Sequence, residues 1–204
     1  MAPITINKKL NLVLPIDTDS GKIWVHSVPL SREVFESNYL LLTKTLSNLY
    51  VNGIGPSFAP RITRLVLKDT AKEMDDENDV SVNLMNEIFR LTNFLMPTHN
   101  GPWQTIPFAE VKMKKLVDEQ ILAEAENAIV YFIVASALHL KSEMQMAYQG
   151  LKNSWSAQTT LLNVTEYGNS LLTLTTQDNT GEKQAAPVEA QQKVAGLRIS
   201  SVPS

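Results

Sequence analysis

The chain has 204 residues, 44% hydrophobic and 19% charged, with 18 basic and 21 acidic residues for a formal net charge of −3. That is the size of one ordinary domain, or one domain with a tail, and there is no basic excess to drive nucleic-acid binding. Cysteine is absent, which excludes a disulfide framework, a thiolate metal site and a cysteine nucleophile.

The first element reads as a β-hairpin over residues 9–28. Leu10, Leu12 and Leu14 alternate along one strand, and Ile23 and Val25 along its return, with Trp24 and His26 on the other face. Between them Asp17-Thr18-Asp19-Ser20-Gly21 has the chemistry of a five-residue turn. Pro29 closes the hairpin. A helix then opens with Ser31 as N-cap, Glu33 in the first turn and a Leu30/Phe35 staple. Phe35, Tyr39, Leu42, Leu46 and Leu49 recur at helical spacing and predict one buried stripe, stopped by Gly53 and Gly55-Pro56.

A second helix is predicted from about Pro60 to Met74, with Ser57 or Phe58 just outside it. An acidic loop follows, Asp75 to Asp79. A third helix is expected from Ser81 through Leu95, using Val82, Met85, Ile88, Phe89 and Leu95, and Pro97 to Pro102 breaks it. Pro107 opens a short helix. The segment Leu116 to Leu140 is polar in its first half and apolar on nearly all sides in its second, so it reads as a central helix enclosed by its neighbours. Its apolar run AIVYFIVASAL has eleven residues, against roughly 20 for a membrane span. One more helix is predicted near Glu143 to Lys152, capped by Ser142. Thr159 to Thr165 fits either a strand or a helix start.

The fold class expected is therefore mainly α (α+β). A single globular domain spans 1–172, with a helical body at 31–152. Residues 173–204 are expected to be a polar, disordered tail, rich in Gln, Thr, Ser and Ala and poor in apolar area to offset ordering entropy. The N-terminus has no long apolar run of the secretory type, so a soluble, cytoplasmic protein is expected.

The chemical motifs fail one by one. His26, His99 and His139 are too far apart for an H-E-x-x-H zinc site. A calcium loop starting at Asp75 would need Gly at Val80 and Glu at Asn86. The third glycine of a dinucleotide fingerprint beginning at Gly53 would fall at Phe58, after a helix rather than a strand. No Gly-x-Ser-x-Gly elbow is present. No cofactor, metal or catalytic role is expected. The Asn163-Val164-Thr165 sequon carries no meaning without a secretory signal.

One feature stands above background. Arg61, Arg64, Lys68 and Lys72 recur at spacings of three, four and four, a basic stripe on the second helix. Its plain reading is a solvated face diluted by Asp69 and Glu73. Its functional reading is a surface for an acidic protein partner. Nucleic acid is disfavoured because no aromatic residues interleave the cations.

The order of segments carries a resemblance. The chain runs through LNLVLPI, VHSVPLSREVFE, NEIFRLTNFL, ENAIVYFIVASALH and WSAQTTLLNVTEY before its polar C-terminus. Over about residues 8–172 this resembles the tail assembly chaperones of long-tailed bacteriophages. The resemblance implies a non-enzymatic protein of the host bacterial cytoplasm that binds the helical tape-measure protein and helps recruit tail-tube subunits. It also implies self-association, no nucleic-acid or membrane partner, and in many members a longer form made by ribosomal frameshift. The alternative is a permanent virion component, such as a minor tail or connector protein.

Overall fold

The computed structural model describes residues 10–19, 21–74, 80–98, 101–139 and 141–180. The order of elements is β1 (Asn11–Thr18), β2 (Gly21–Ser27), α1 (Arg32–Val51), α2 (Ala59–Glu73), α3 (Val80–Arg90), β3 (Thr92–Thr98), β4 (Gly101–Pro107), α4 (Phe108–Lys114), α5 (Glu119–Leu138), α6 (Lys141–Trp155), β5 (Gln158–Thr160) and α7 (Val164–Thr180). The fold is α+β and mainly helical, with a β-hairpin at its start.

That hairpin is the centre of a five-stranded antiparallel sheet ordered β4-β3-β2-β1-β5. Thr18 pairs with Gly21 and Asp17 with Lys22, so both strands extend into the expected five-residue turn, of which Ser20 lies outside the described residues. Gly21 sits at φ +116°, a conformation that favours glycine, and Thr18 Oγ1 donates to Gly21 O at 2.6 Å.

Side chains alternate across a strand, and here both faces are covered. Leu12, Leu14, Ile16, Ile23, Val25, Phe94 and Ile106 point into the main helical core. Val13 and Leu95 point the other way, with Trp24 and Trp103 beside them, under Tyr167 and Leu171 of α7. The apolar run in β1 follows from this: a strand covered on both faces cannot alternate apolar with polar.

Two stretches expected to be helix or breaker are strands. The third helix ends at Arg90, not Leu95, and β3 and β4 form a second hairpin. The reason is tertiary. β2 offers a free edge, and β3 pairs with it through Trp24↔Leu95, Val25↔Phe94 and Ser27↔Thr92. Thr92 Oγ1 joins the two elements, with Ile88 O at 2.8 Å and Ser27 Oγ at 3.0 Å. The segment left undecided after Trp155 contains both forms, the short edge strand β5 and then α7. α7 continues to Thr180, past the expected start of the polar tail at 173; residues 181–204 and the acidic loop 75–79 lie outside the described residues.

The first helix is capped as expected: Ser31 Oγ accepts from Val34 N at 3.3 Å. Its buried stripe is rotated. Leu42 and Leu49 are buried, but so are Leu41 and Thr45, whereas Tyr39 is 57% exposed. α1 packs against both α2 and α5, which draws the buried arc away from Tyr39. α5 begins at Glu119 rather than at the expected Leu116, with Asp118 as its N-cap, whose Oδ1 accepts from Gln120 N and Ile121 N. Every residue from Ala125 to Ala135 is buried, and α1, α2, α3, α6 and β1 surround the helix. Among the described residues α5 is the one helix long and apolar enough to cross a membrane, with 67% of its most apolar window buried within the fold. Enclosure by its neighbours accounts for that composition.

Candidate partner-binding surface

The surface grows out of α2. Pro60 occupies its first turn and Phe58 its N-cap position, the latter already at helical φ and ψ. Ala59, Pro60, Thr63, Leu67, Thr70 and Ala71 face the core. Burying two threonine hydroxyls unpaired would cost stability, so each finds a partner. Thr63 Oγ1 donates to Ala59 O, Thr70 Oγ1 donates to Val66 O, and Asn48 Nδ2 donates to Thr70 Oγ1 at 2.9 Å. This fixes which side of α2 faces out.

The four cations of the stripe then separate. Arg64 turns inward. Its backbone N donates to Asn127 Oδ1 at 3.1 Å, and its Nε lies 3.2 Å from Glu126 Oε2, an ion pair whose angle falls short of a hydrogen bond. Glu126 is a carboxylate on the central helix only 4% exposed. Its Oε1 accepts from Lys112 Nζ of α4 at 2.8 Å, and Lys112 Nζ also lies 5.2 Å from the centre of the Phe89 ring. Arg64 is thus committed to holding α2 on α5 by answering a buried charge. Lys72 points outward and pairs with Asp69 at 3.4 Å, with both side chains largely exposed. Such a surface pair holds weakly and leaves Lys72 open to exchange. Arg61 and Lys68 are exposed, with no ion pair to either among the described residues.

Two apolar side chains occupy the same outer face: Phe58 is 66% exposed and Leu65 is 48% exposed. Charge spacing gave no reason to notice them. Counted with the outward cations, Phe58, Arg61, Leu65, Lys68 and Lys72 recur at three, four, three and four, the period of a helix seam that accepts a second helix. The surface is therefore a mixed strip about 20 Å long, with apolar anchors at Phe58 and Leu65 and cations between and beyond them. It differs from the expected stripe by losing Arg64 and gaining Phe58 and Leu65.

Among the described residues no group of three or more His, Asp or Glu side chains is arranged to hold a metal ion. His26 is buried in the sheet and His139 ends α5; His99 lies outside the described residues. Comparison with protein-family models, with curated proteins and with solved structures found no match to this chain.

Proposed function

We propose that this protein is a non-catalytic tail assembly chaperone of a long-tailed bacteriophage. In this reading it works in the host bacterial cytoplasm, binds the helical tape-measure protein, and helps recruit tail-tube protein before leaving the growing tail. The segment order over residues 8–172 supports the family. The observation that carries a binding role is the outer strip of α2, where Phe58, Arg61, Leu65, Lys68 and Lys72 follow a 3-4-3-4 spacing. A strip of that period fits an amphipathic helix whose apolar residues meet Phe58 and Leu65 and whose acidic residues meet the cations. Tape-measure proteins are long and helical, so they offer such segments repeatedly.

Two measurements test this. Co-expression with the phage's tape-measure protein should yield a soluble complex, and Arg61→Glu with Lys68→Glu should weaken it by roughly tenfold or more. Unchanged capture by that double variant would remove the α2 strip from the interface. Mass spectrometry of purified virions beside infected-cell lysate should find the protein in the lysate and not in virions. Stoichiometric presence in virions would overturn the chaperone reading and leave a permanent tail or connector component.

A further inference from the structure

α7 stands apart from the other helices. α1, α2, α3 and α6 gather around α5, whereas α7 packs on the other face of the sheet, chiefly over β4 and β3. It brings Val164, Tyr167 and Leu171 to a small second core made with Val13, Leu95, Trp24 and Trp103. Residues 161–163 join it to the short strand β5. A helix held by so few apolar side chains can lift without opening the main core.

One polar side chain is buried at the base of this helix. His26 lies on the sheet face that α7 covers, with its ring centre 6.3 Å from that of Tyr167. Its Nε2 is 3.0 Å from Leu162 O, the carbonyl that also accepts from Asn11 Nδ2 at 2.9 Å. A carbonyl can only accept, so the neutral ring carries its proton on Nε2. Nδ1 is left bare, buried and with no partner among the described residues. We propose that α7 is a hinged strap latched at Leu162, and that a proton on His26 Nδ1 releases it while the helices around α5 stay folded.

The Nε2 bond survives protonation, so the switch is Nδ1. Its new N–H meets no acceptor, and the imidazolium charge is cut off from water. The elements packed around His26 offer little to balance that charge. β3, β4 and residues 156–163 contain no charged side chain. Asp17 of β1 and Lys22 of β2 pair with each other at 3.5 Å, at the turn end of the hairpin. On α7, Glu166 Oε2 is committed to Asn163 N at 2.9 Å, and Asp178 lies about three turns further on. Tyr167 stays neutral, because burial raises its pKa. Burial likewise holds the His26 pKa below the ordinary 6.5. The smallest movement that relieves a buried imidazolium is local: raising residues 161–167 admits water to Nδ1 and leaves the main core closed. Between the ordinary and the lowered value, acidification therefore raises the opening equilibrium by up to about tenfold per pH unit.

Hydrogen exchange of the full-length chain, read by mass spectrometry at about pH 7.5 and about pH 5.5 and corrected for intrinsic rates, tests this. At the lower pH the amides of α7 should lose protection by about five- to tenfold, with those of α5 unchanged. His26→Gln can still donate to Leu162 O but takes up no proton, so its α7 should be equally protected at both values. Glu166→Gln keeps a capping side chain and should release α7 as the wild type does, which separates His26 from the cap. Tryptophan emission supplies a readout with His26 intact. Trp155→Phe leaves Trp24 and Trp103 under α7, and Trp24→Phe with Trp103→Phe leaves Trp155 against the main core. Acidification should shift the first toward a solvated indole and leave the second in place. Equal loss of protection in α5 and α7, no loss in either, or release of α7 in His26→Gln would each overturn the proposal. It concerns α7 and the sheet alone, so its failure leaves the chaperone reading standing, and the virion measurement tests that reading independently.

Discussion

Gly150 and Gly168 show how much depends on one missing methyl group. A Cβ on Gly150 would lie 1.9 Å from Pro56 O and 2.7 Å from Pro56 C. Both are backbone atoms of the α1–α2 connection, which cannot swing aside. Gly150→Ala is therefore expected to destabilise the fold by about 2–3 kcal/mol. A Cβ on Gly168 would meet Leu95 Cδ2 at 3.2 Å, the end of a side chain that can shift. An alanine also favours the helix by about 1 kcal/mol. Gly168→Ala should stay within about 1 kcal/mol of wild type, and urea denaturation separates the two. His26 acts at the same scale through its charge. It is buried, its Nε2 donates to Leu162 O at 3.0 Å, and its Nδ1 has no partner among the described residues. Burial holds its pKa below the ordinary 6.5, more than the Leu162 bond raises it. As pH falls below 6.5, the unfolded chain takes up this proton before the folded one does. Stability should therefore fall from pH 6.5 down toward the lowered folded value. His26→Gln is expected to flatten that part of the profile in denaturation curves measured across it.

Among the elements, α7 changes the character of the sheet. The sheet's second face would otherwise show Val13 and Leu95, with Trp24 and Trp103, to water. α7 covers them with Tyr167 and Leu171, and the Tyr167 ring meets Trp24 edge-on at 6.0 Å. Its start is fixed by a reciprocal cap: Asn163 N donates to Glu166 Oε2 at 2.9 Å, and Glu166 N donates to Asn163 Oδ1 at 3.0 Å. The approach to it is tied down as well, because Leu162 O accepts from both Asn11 Nδ2 and His26 Nε2. Tyr167→Ala is expected to cost about 2–4 kcal/mol and to shift Trp24 emission toward that of a solvated indole. An unshifted spectrum would mean that α7 does not shield this face.

For the whole molecule, the division of the basic stripe separates stability from binding. Arg64 answers the buried Glu126 carboxylate, whereas Arg61 and Lys68 answer nothing within the described fold. Arg64→Glu would place two carboxylates together against α5 and should destabilise by about 2 kcal/mol or more. Arg61→Glu and Lys68→Glu should leave stability within about 0.5 kcal/mol of wild type while weakening capture of the tape-measure protein. Equal destabilisation by all three would show that the stripe is structural throughout.

Local sequence determined the elements whose causes are local. Ser31 caps α1, Pro60 lies in the first turn of α2, Asp118 opens α5, and eleven consecutive apolar-rich residues can only be enclosed. The α+β class and the opening hairpin follow from the same short-range signals. Tertiary structure decided what depends on distant partners. Thr92 to Leu95 reads as the end of the third helix, and becomes strand because β2 presents an unpaired edge. Arg64 looks like its neighbours along the helix until Glu126 and Asn127, the latter 63 positions away, claim it. Tyr39 shares the spacing of the buried leucines but faces water, because α2 and α5 together set the rotation of α1. Spacing along a helix defines its faces; only the neighbours packed around it decide which face is buried.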